Sequence, residues 1–409
     1  MGNLGHQAAR LAASKICDNI VKGLCKDPET EVVKLIDMWQ KFMGDEKIDL
    51  NYESARKMIC DKDSTLNKYM HRLINEIDPH VLKTIALNLG FEAFVYGTKT
   101  IRKNREKYGC NVPWLILMDP TSACNCKCKG CWAAEYGHKS SLSYDEMASV
   151  VRQGKKLGTH LYMFTGGEPL IKKKELIRLC EENPDCAFLA YTNGTLIDDE
   201  LCKEVLRVGN FAFALSVEGT EESNDARRGS GSYQKTIAAM ELLKKYGCLF
   251  GMSVCYTREN VSFVTSDEFM DKMISLGVKF GLYFNFMPVG HDAPPELIAT
   301  PAPCHEERTF KTFKNRFFSD VRVGKVDENA RLHVACGVDV EIVSAARYAA
   351  ADIFAVILEV KGINRLSACV SSDFSYSVIH IFSLLRCQKK LCCGIIANRH
   401  IVKIPSVSY

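Results

Sequence analysis

The sequence predicts an α/β fold, built as a partial (βα)6 TIM-like barrel between an N-terminal helical region and an irregular C-terminal tail. Before residue 110, apolar residues recur every three or four positions, which is the helical period. From Pro113, short apolar runs alternate six times with amphipathic stretches, as in βα units around a parallel sheet. This pattern alone also allows an open α/β sheet. Neither period continues in the tail, so we divide the chain into 1–110, 111–300 and 301–409.

The first of these regions is expected to be an accessory helical region. One apolar stripe consists of Ile16, Ile20 and Leu24, and similar stripes follow it. Such stripes are usually the faces that helices bury in a core. The basic stretch at 99–107 is typical of a solvated helix end. We therefore assign no function to this region.

Six short apolar runs are the predicted strands of the second region. They lie at 114–118, 160–164, 187–191, 211–217, 250–256 and 280–286. The helices between them begin with residues that can cap a first turn, because Ser143, Asp198 and Ser232 each offer a side-chain oxygen to free backbone N–H groups. In a barrel or an open parallel sheet, functional residues lie at the carboxyl ends of the strands. The loops after these strands are therefore where a site is expected.

Composition excludes several classes of protein. With 409 residues, 47% of them hydrophobic and 25% charged, the chain is expected to be globular rather than disordered, collagen-like or a coiled coil. A net charge of +4 gives no electrostatic reason to expect nucleic acid or an acidic membrane surface as a partner. The best candidate for a membrane span, 353–360, contains Glu359 and is shorter than the roughly 20 apolar residues required.

The N-terminal segment and the cysteine content favour a cytoplasmic protein. The segment MGNLGHQAAR lacks the apolar stretch of a secretory signal, and His6 stands where a myristoylation signal has Ser or Thr. Thiols stay reduced in the cytosol. The 19 cysteines therefore indicate metal binding or catalysis by some of them rather than disulfides.

Four cysteines follow the first predicted strand in the segment CNCKCKGC at 124–131. Thiolates select zinc, copper(I) or iron-sulfur clusters, and the spacing of Cys124, Cys128 and Cys131 suits a loop around one corner of a cubane that leaves one iron open for catalysis. A closed zinc site is the alternative, although zinc ribbons usually supply two separated cysteine pairs. A bacterial ferredoxin run needs a different spacing. Cys126 is either a fourth ligand or a bystander, and we favour the bystander because alternate cysteines would strain the loop.

The segment TGGEP at 165–169 follows the second predicted strand, at the same end of the sheet as the cysteine loop. Gly166 and Gly167 let the backbone approach a ligand closely, so that its polar groups could hold an amino group. An ordinary β-to-α turn also explains two glycines and a proline. The position beside the cysteine loop favours the binding interpretation.

Three motifs in order, CX3CX2C, GGEP and TNGT at 192–195, resemble the radical S-adenosylmethionine (SAM) superfamily over roughly residues 113–290. The resemblance implies that Cys124, Cys128 and Cys131 ligate a 4Fe-4S cluster, whose fourth iron is chelated by the amino and carboxylate groups of SAM. It also implies that GGEP receives the methionyl amino group, and that Ser216 and Asn193 lie near the sugar and carboxylate of SAM. The cofactor-binding residues so implied are Gly166, Gly167, Glu168, Pro169, Asn193 and Ser216. No catalytic residue is assigned.

The residues after the fourth strand extend the resemblance. The segment SVEG at 216–219 resembles the family's strand-four exit, and Arg227 or Arg228 beyond it could bind a carboxylate through both guanidinium nitrogens. A surface loop that merely contains two arginines is the alternative.

Two departures from the family pattern concern stacking on the cofactor. Glu218 stands where many relatives have Asp. Gly130 replaces an aromatic residue that some relatives carry before the third cysteine, and Trp132 is a candidate substitute.

The resemblance implies an oxidoreductase or maturase that cleaves SAM reductively to methionine and a 5′-deoxyadenosyl radical, which abstracts hydrogen from a peptide or small-molecule substrate. A low-potential one-electron donor, flavodoxin- or ferredoxin-like, would supply the electron. The alternative is a non-catalytic iron-sulfur or zinc-binding module with an electron-transfer or structural role. The GGEP turn favours the enzyme, because an electron carrier does not require it.

Maturases and tetrapyrrole-modifying enzymes of this superfamily often carry a C-terminal region that binds auxiliary clusters. Residues 305–409 contain only four glycines and one proline, where average usage gives roughly a dozen. We therefore hypothesise a divergent or frame-shifted tail, which translation of the downstream DNA in the other two frames would support or remove. The cysteines of this part, to which we assign no role, are Cys304, Cys336, Cys369, Cys387, Cys392 and Cys393.

Overall fold

The fold is that of a computed structural model, which describes residues 2–43, 52–131, 133, 140–288, 293–299, 331–334 and 338–341. The helices before the first strand are α1 (Gly2–Gly23), α2 (Pro28–Met43), α3 (Tyr52–Cys60), α4 (Thr65–Glu76), α5 (Pro79–Ile85), a π-helical segment (Ala86–Gly97) and α6 (Thr98–Tyr108). Side-chain oxygens cap two of them, since Ser64 accepts from Asn67 N and Asp78 accepts from His80 N. The helical character expected before residue 110 is thus present.

Strands and helices alternate after Pro113. They are β1 (Leu115–Met118), α7 (Tyr144–Leu157), β2 (Leu161–Phe164), a 3₁₀ turn (Pro169–Lys172), α8 (Lys173–Glu182), β3 (Ala187–Thr192), α9 (Asp199–Val208), β4 (Phe211–Ser216), α10 (Glu221–Arg228), α11 (Ser232–Tyr246), β5 (Phe250–Tyr256), α12 (Val261–Val264), α13 (Asp267–Ser275), β6 (Gly281–Asn285) and a second 3₁₀ turn (Pro295–Leu297). Each of the six predicted strands is confirmed to within one residue at either end.

The tail contributes one described feature, an antiparallel pair of β7 (Arg331–Val334) and β8 (Val338–Glu341). Its cysteines lie outside the described residues, as do most of the positions on which the frame-shift hypothesis depends. That hypothesis stays a prediction.

Two of the three predicted helix caps are confirmed. Ser143 forms a capping box with Glu146, and the Asp198 side chain accepts from the backbone N–H of Leu201. The prediction for Ser232 is wrong, because Gly231, at a φ of 73°, precedes the helix and Ser232 is its first residue. The Ser232 hydroxyl instead donates to Asp225 Oδ1 at 3.0 Å.

The six strands form one parallel sheet in the order β1-β2-β3-β4-β5-β6. A flat sheet would hold β3 and β6 about 14 Å apart, at roughly 4.8 Å per strand. The rings of Tyr191 on β3 and Phe284 on β6 instead meet edge to face, with centroids 5.8 Å apart. The sheet is therefore strongly curved, and the partial barrel is confirmed over the open sheet.

The two faces of this sheet differ in what they bury. The outer face packs fully buried aromatic side chains such as Phe164, Phe188 and Phe213 against the surrounding helices. The inner face carries a smaller apolar cluster that includes Leu189, Ala214, Leu282 and partly buried Met163, Tyr191 and Phe284. Burial on the outer face anchors the strands, so that the loops at their ends are held in fixed positions.

The N-terminal helices cover the amino ends of the strands. Asn88 Nδ2 donates to the carbonyl of Cys186, directly before β3, at 2.8 Å. The buried Lys279, just before β6, donates to Glu76 Oε2 of α4 at 2.8 Å. These contacts place the helical region at the end opposite to the carboxyl ends of the strands. Among the described helices, none is long and apolar enough to span a membrane.

Candidate functional site

The carboxyl ends of β1 to β4 bring together the segments that the motifs indicated. The cysteine loop follows β1, GGEP follows β2, TNGT begins at the last residue of β3, and Ser216 ends β4. Direct hydrogen bonds join three of these segments. Glu168 N donates to the carbonyl of Ala123 at 2.8 Å, and Asn193 Nδ2 donates to Asn125 Oδ1 at 2.8 Å.

The cysteine loop carries four half-buried cysteines, none of which forms a disulfide. The backbone N–H of Cys131 donates to the carbonyl of Cys128 at 3.2 Å. The backbone N–H of Cys126 donates to Cys124 Sγ at 3.4 Å. These contacts hold the loop in a compact turn whose four cysteine residues are partly exposed.

The thiols of the loop differ in their acidity. A hydrogen bond from the Cys126 side chain, followed by the positive charges of Arg228 and Arg227, lowers the pKa of Cys128 to about 6. A hydrogen bond from Cys126 likewise lowers the pKa of Cys124 to about 7. The same contacts raise the pKa of Cys126. Because thiolates are the metal-binding form, Cys124 and Cys128 fit a ligand role and Cys126 fits a thiol that keeps its proton.

The structure gives a steric reason for glycine at position 130, which the sequence did not reveal. Its φ is +64°, and a Cβ at this position would lie 2.8 Å from the ring of Phe286. Phe286, which follows β6 and is buried, therefore places an aromatic ring against the loop just before Cys131. Trp132, the candidate substitute for the missing aromatic residue, lies outside the described residues.

The two glycines of GGEP are required by close contact with the start of the cysteine loop. Gly166 has a φ of +99°, and a Cβ there would lie 2.7 Å from the carbonyl oxygen of Thr121. A Cβ on Gly167 would lie 2.1 Å from the carbonyl oxygen of Ala123. Gly167 N also donates to the carbonyl of Thr121 at 2.9 Å. The turn is thus bonded to the chain that leads into Cys124.

The Glu168 carboxylate is buried and bonded to three groups of the protein. Oε1 accepts from Thr192 Oγ1 at 2.7 Å and from Leu170 N at 3.0 Å, and Oε2 accepts from Asn193 N at 2.8 Å. Burial raises the pKa of Glu168, while these hydrogen bonds oppose the rise. The carboxylate therefore ties the turn after β2 to the end of β3. Pro169 is buried and opens the 3₁₀ turn that Glu168 caps.

Replacing Thr192 with valine tests this link. The substitution keeps the shape of the side chain but removes the hydrogen bond to the buried carboxylate and the one that Thr192 Oγ1 accepts from Gly194 N at 3.1 Å. We expect the free energy of unfolding to fall by about 1.5–3 kcal/mol, measured by denaturant titration. The matched control is Thr30→Val at an exposed position of α2, which should change stability by no more than about 0.5 kcal/mol. Equal effects in the two variants would mean that the Thr192 contact is not stabilising.

Asn193 contacts the cysteine loop directly. Besides its bond to Asn125, its Nδ2 lies 3.4 Å from Cys126 Sγ. Its Oδ1 accepts from Thr195 Oγ1 at 2.7 Å, and Thr195 Oγ1 accepts from Asn125 Nδ2 at 2.7 Å. Asn193, predicted as a residue near the cofactor, therefore holds the loop through a closed set of polar contacts. Asn125 and Thr195 had no role in the sequence interpretation.

Ser216 lies on the strand beside TNGT. Its neighbour Leu215 pairs with Thr192, and Ser216 itself pairs with Ser253 of β5. Both serines are half-buried, and strand alternation puts them on the same inner face as Ala214. Ser216 is thus placed at the carboxyl end of the barrel, as expected. The sequence interpretation did not place Ser253 beside Ser216, because a single serine in an apolar run carries no local signal of its neighbours in the sheet.

The arginines after β4 are mostly buried, so the expectation of a plain surface loop is wrong. The carboxylate that they bind is the protein's own Glu218. Glu218 Oε1 accepts from Arg227 Nη1 at 2.6 Å and from Arg228 Nε at 2.7 Å. The side chains of Arg227 and Arg228 are 14% and 13% exposed, and that of Glu218 is 1% exposed.

Residues 118–280 match the family model of the Radical SAM superfamily. This stretch, which runs from the end of β1 to just before β6, is therefore a radical SAM domain, and the resemblance inferred from the motifs is confirmed. Its donor set also fits the group that such domains hold. Three half-buried thiols lie on one loop, and two of them have a lowered pKa.

Two curated relatives are named for tetrapyrrole chemistry. Fe-coproporphyrin III synthase of Methanosarcina barkeri is 29% identical over 152 residues, covering 36% of this chain and 38% of that relative. AdoMet-dependent heme synthase of the same organism is 25% identical over 209 residues, covering 50% of this chain and 58% of the relative. The chain therefore spans less than two thirds of either relative. Among solved structures, SuiB of Streptococcus suis bound to S-adenosylmethionine aligns with a TM-score of 0.46 and 17% identity, covering 54% of this chain and 52% of that one.

Proposed function

We propose that this chain is a radical SAM enzyme that holds a 4Fe-4S cluster through Cys124, Cys128 and Cys131 and cleaves SAM reductively. One observation carries the proposal: the GGEP turn is bonded to the chain that leads into the first cysteine, through Glu168 N and the carbonyl of Ala123 at 2.8 Å. A turn suited to an amino group is thereby fixed beside the thiols. A zinc site or an electron carrier needs the thiols but has no use for this turn.

When bound, the cluster and SAM supply the cleavage that yields methionine and a 5′-deoxyadenosyl radical, which abstracts hydrogen. The chain's own contribution is positioning. Gly166 and Gly167 bring backbone polar groups close to the methionyl amino group, and Glu168 and Pro169 fix the shape of that turn. Asn193 holds the cysteine loop near the cofactor.

The inner face of the barrel supports the same proposal. Ser216 offers a hydroxyl at the carboxyl end, near the proposed position of the SAM sugar and carboxylate. Below it, the partly buried side chains of Met163, Tyr191 and Phe284 form an apolar surface. Such a surface excludes water and offers few alternative groups for a reactive radical.

The proposed substrate is a peptide or small molecule, and the proposed chemistry is that of an oxidoreductase or maturase. The names of the two Methanosarcina relatives make a tetrapyrrole the first small molecule to test. The proposed partner is a low-potential one-electron donor, flavodoxin- or ferredoxin-like. None of the described cysteines forms a disulfide, which fits the cytoplasmic location that we propose.

The test is an anaerobic assay of the full chain after reconstitution with iron and sulfide. With dithionite and SAM, we expect 5′-deoxyadenosine and methionine to form in equal amounts, slowly even without substrate. Cys131→Ala should form neither product. An iron-loaded protein that forms no 5′-deoxyadenosine would favour the electron-transfer module. A protein that takes up zinc and no iron would favour the structural module, and either result would overturn the proposal.

A further inference from the structure

Arg228 lies between a buried carboxylate and a proposed cluster ligand. Its Nη2 is 2.5 Å from Glu218 Oε1, and its Nη1 is 4.0 Å from Cys128 Sγ. The two residues in contact with it are far apart in sequence, since Glu218 lies two residues after β4 and Cys128 lies in the cysteine loop. The guanidinium therefore spans from the barrel wall to the sulfur.

Glu218 is held firmly enough to orient this guanidinium. Its backbone N–H donates to Asn224 Oδ1 at 3.1 Å, and its carbonyl accepts from Asn260 Nδ2 at 3.0 Å. Its side chain receives both arginines on Oε1. Within the described residues, Oε2 is buried with no hydrogen-bond partner. In the described part of the chain, the hydrogen bonds of this carboxylate are therefore those from the two arginines.

The charges of this group do not cancel. Two guanidinium groups face one carboxylate, which leaves a net positive charge against the cysteine loop. Both arginines are cations at neutral pH, because the guanidinium group is not deprotonated in proteins.

Arg227 adds a second, purely positional link. Its backbone carbonyl accepts from the N–H of Lys129 at 2.7 Å, one residue after Cys128. This bond does not depend on the identity of either side chain. Positioning of the loop by the backbone can therefore be separated by mutation from the electrostatic effect of Arg228.

We propose that Arg228, oriented by Glu218, is a positioning residue that raises the reduction potential of the cluster bound at Cys128. The inference rests on the proposed function, because it requires a cluster at this loop. Reduction adds negative charge to the cluster, and a fixed cation beside one sulfur in a partly buried site stabilises that charge. Loss of the cation should make the cluster harder to reduce.

The test is a redox titration of the reconstituted full-length protein, followed by electron paramagnetic resonance without SAM. For Arg228→Gln we expect normal iron content and a ratio of reduced to oxidised cluster that falls at least tenfold at a fixed potential, a shift of about 59 mV for a one-electron couple. Arg228→Lys keeps the charge and should remain within threefold of the parent protein. Arg207→Gln is the control, because Arg207 is exposed and pairs with Glu204 on α9. It should cause no shift.

Glu218→Gln tests the inference independently if Arg228→Gln does not bind iron. The substitution keeps a side-chain oxygen that can accept from both arginines, as Glu218 Oε1 does, but removes the negative charge. Arg228 then stays oriented towards Cys128, and the potential should shift upward, opposite to the loss of arginine. An unchanged potential in Arg228→Gln, or an unchanged or lower potential in Glu218→Gln, would overturn the inference. Neither result bears on the proposed function, which is tested by the 5′-deoxyadenosine assay of the parent protein. If the parent protein takes up no iron, both are overturned.

Discussion

Replacement of Cys128 by alanine is expected to abolish the iron-dependent brown colour of the anaerobically reconstituted protein and all formation of 5′-deoxyadenosine. Cys128 is one of three proposed ligands, and the contacts of Cys126 and the two arginines favour its thiolate. Removing it leaves two of the three proposed ligands, and Cys126, which keeps its proton, is not expected to replace the third. Its side chain is only half-buried in a loop, so we expect the free energy of unfolding to change by less than about 1 kcal/mol. Iron content, the visible spectrum and a denaturant titration measure these effects.

The chain supplies a matched control two residues earlier. Cys126→Ala removes a thiol of similar burial from the same loop, and we expect it to retain iron and the visible spectrum. Loss of colour in both variants would make Cys126 a ligand rather than a bystander. Colour that persists in Cys128→Ala would contradict the proposed ligand set.

Replacement of Gly167 by alanine is expected to reduce 5′-deoxyadenosine formation by at least a hundredfold. The new Cβ would lie 2.1 Å from the carbonyl oxygen of Ala123 and 2.6 Å from that of Ser122. Both atoms belong to the backbone, so rotation of a side chain cannot relieve the contact. The turn must move away from the cysteine loop, which breaks the bond from Gly167 N to Thr121. We also expect the free energy of unfolding to fall by about 1–3 kcal/mol.

Gly5→Ala is the control for this substitution. Gly5 is exposed in α1, and a Cβ there would meet nothing within 4 Å. Alanine at this position should leave the assay unchanged and raise stability by about 0.5–1 kcal/mol. Normal 5′-deoxyadenosine formation by Gly167→Ala would show that the close contact between turn and loop is not needed for cleavage.

The strands were predictable because each is a short apolar run between amphipathic stretches, a pattern that depends only on neighbouring residues. The apolar pattern alone also allowed an open sheet, since the curvature that distinguishes the partial barrel involves the contact of Tyr191 with Phe284, far along the chain. Ser232 was mistaken for a cap for a related reason. The Ser232 hydroxyl donates to Asp225 instead of capping the helix, and the sequence around Ser232 does not show this alternative contact.

The candidate site also combines features that the sequence predicted with contacts that it did not. Cysteine spacing and the glycine turn are local signals, and both were found from the sequence. The contacts that hold them are not local: Phe286 against Gly130, Asn125 with Asn193, and Arg228 with Cys128 join separate loops. The consecutive arginines at 227 and 228 were noticed, but their partner Glu218 was interpreted only through its departure from the family pattern.

The measurement that tests the central claim most directly is the electron paramagnetic resonance spectrum of the reduced, reconstituted protein before and after addition of SAM. In the proposed site, three cysteine ligands would leave one iron open, and coordination of that iron by SAM would change its electronic environment. We predict that SAM shifts the g values of the reduced cluster, and that Gly167→Ala weakens the response. A cluster signal that SAM leaves unchanged at saturating concentration would contradict an open iron at this loop.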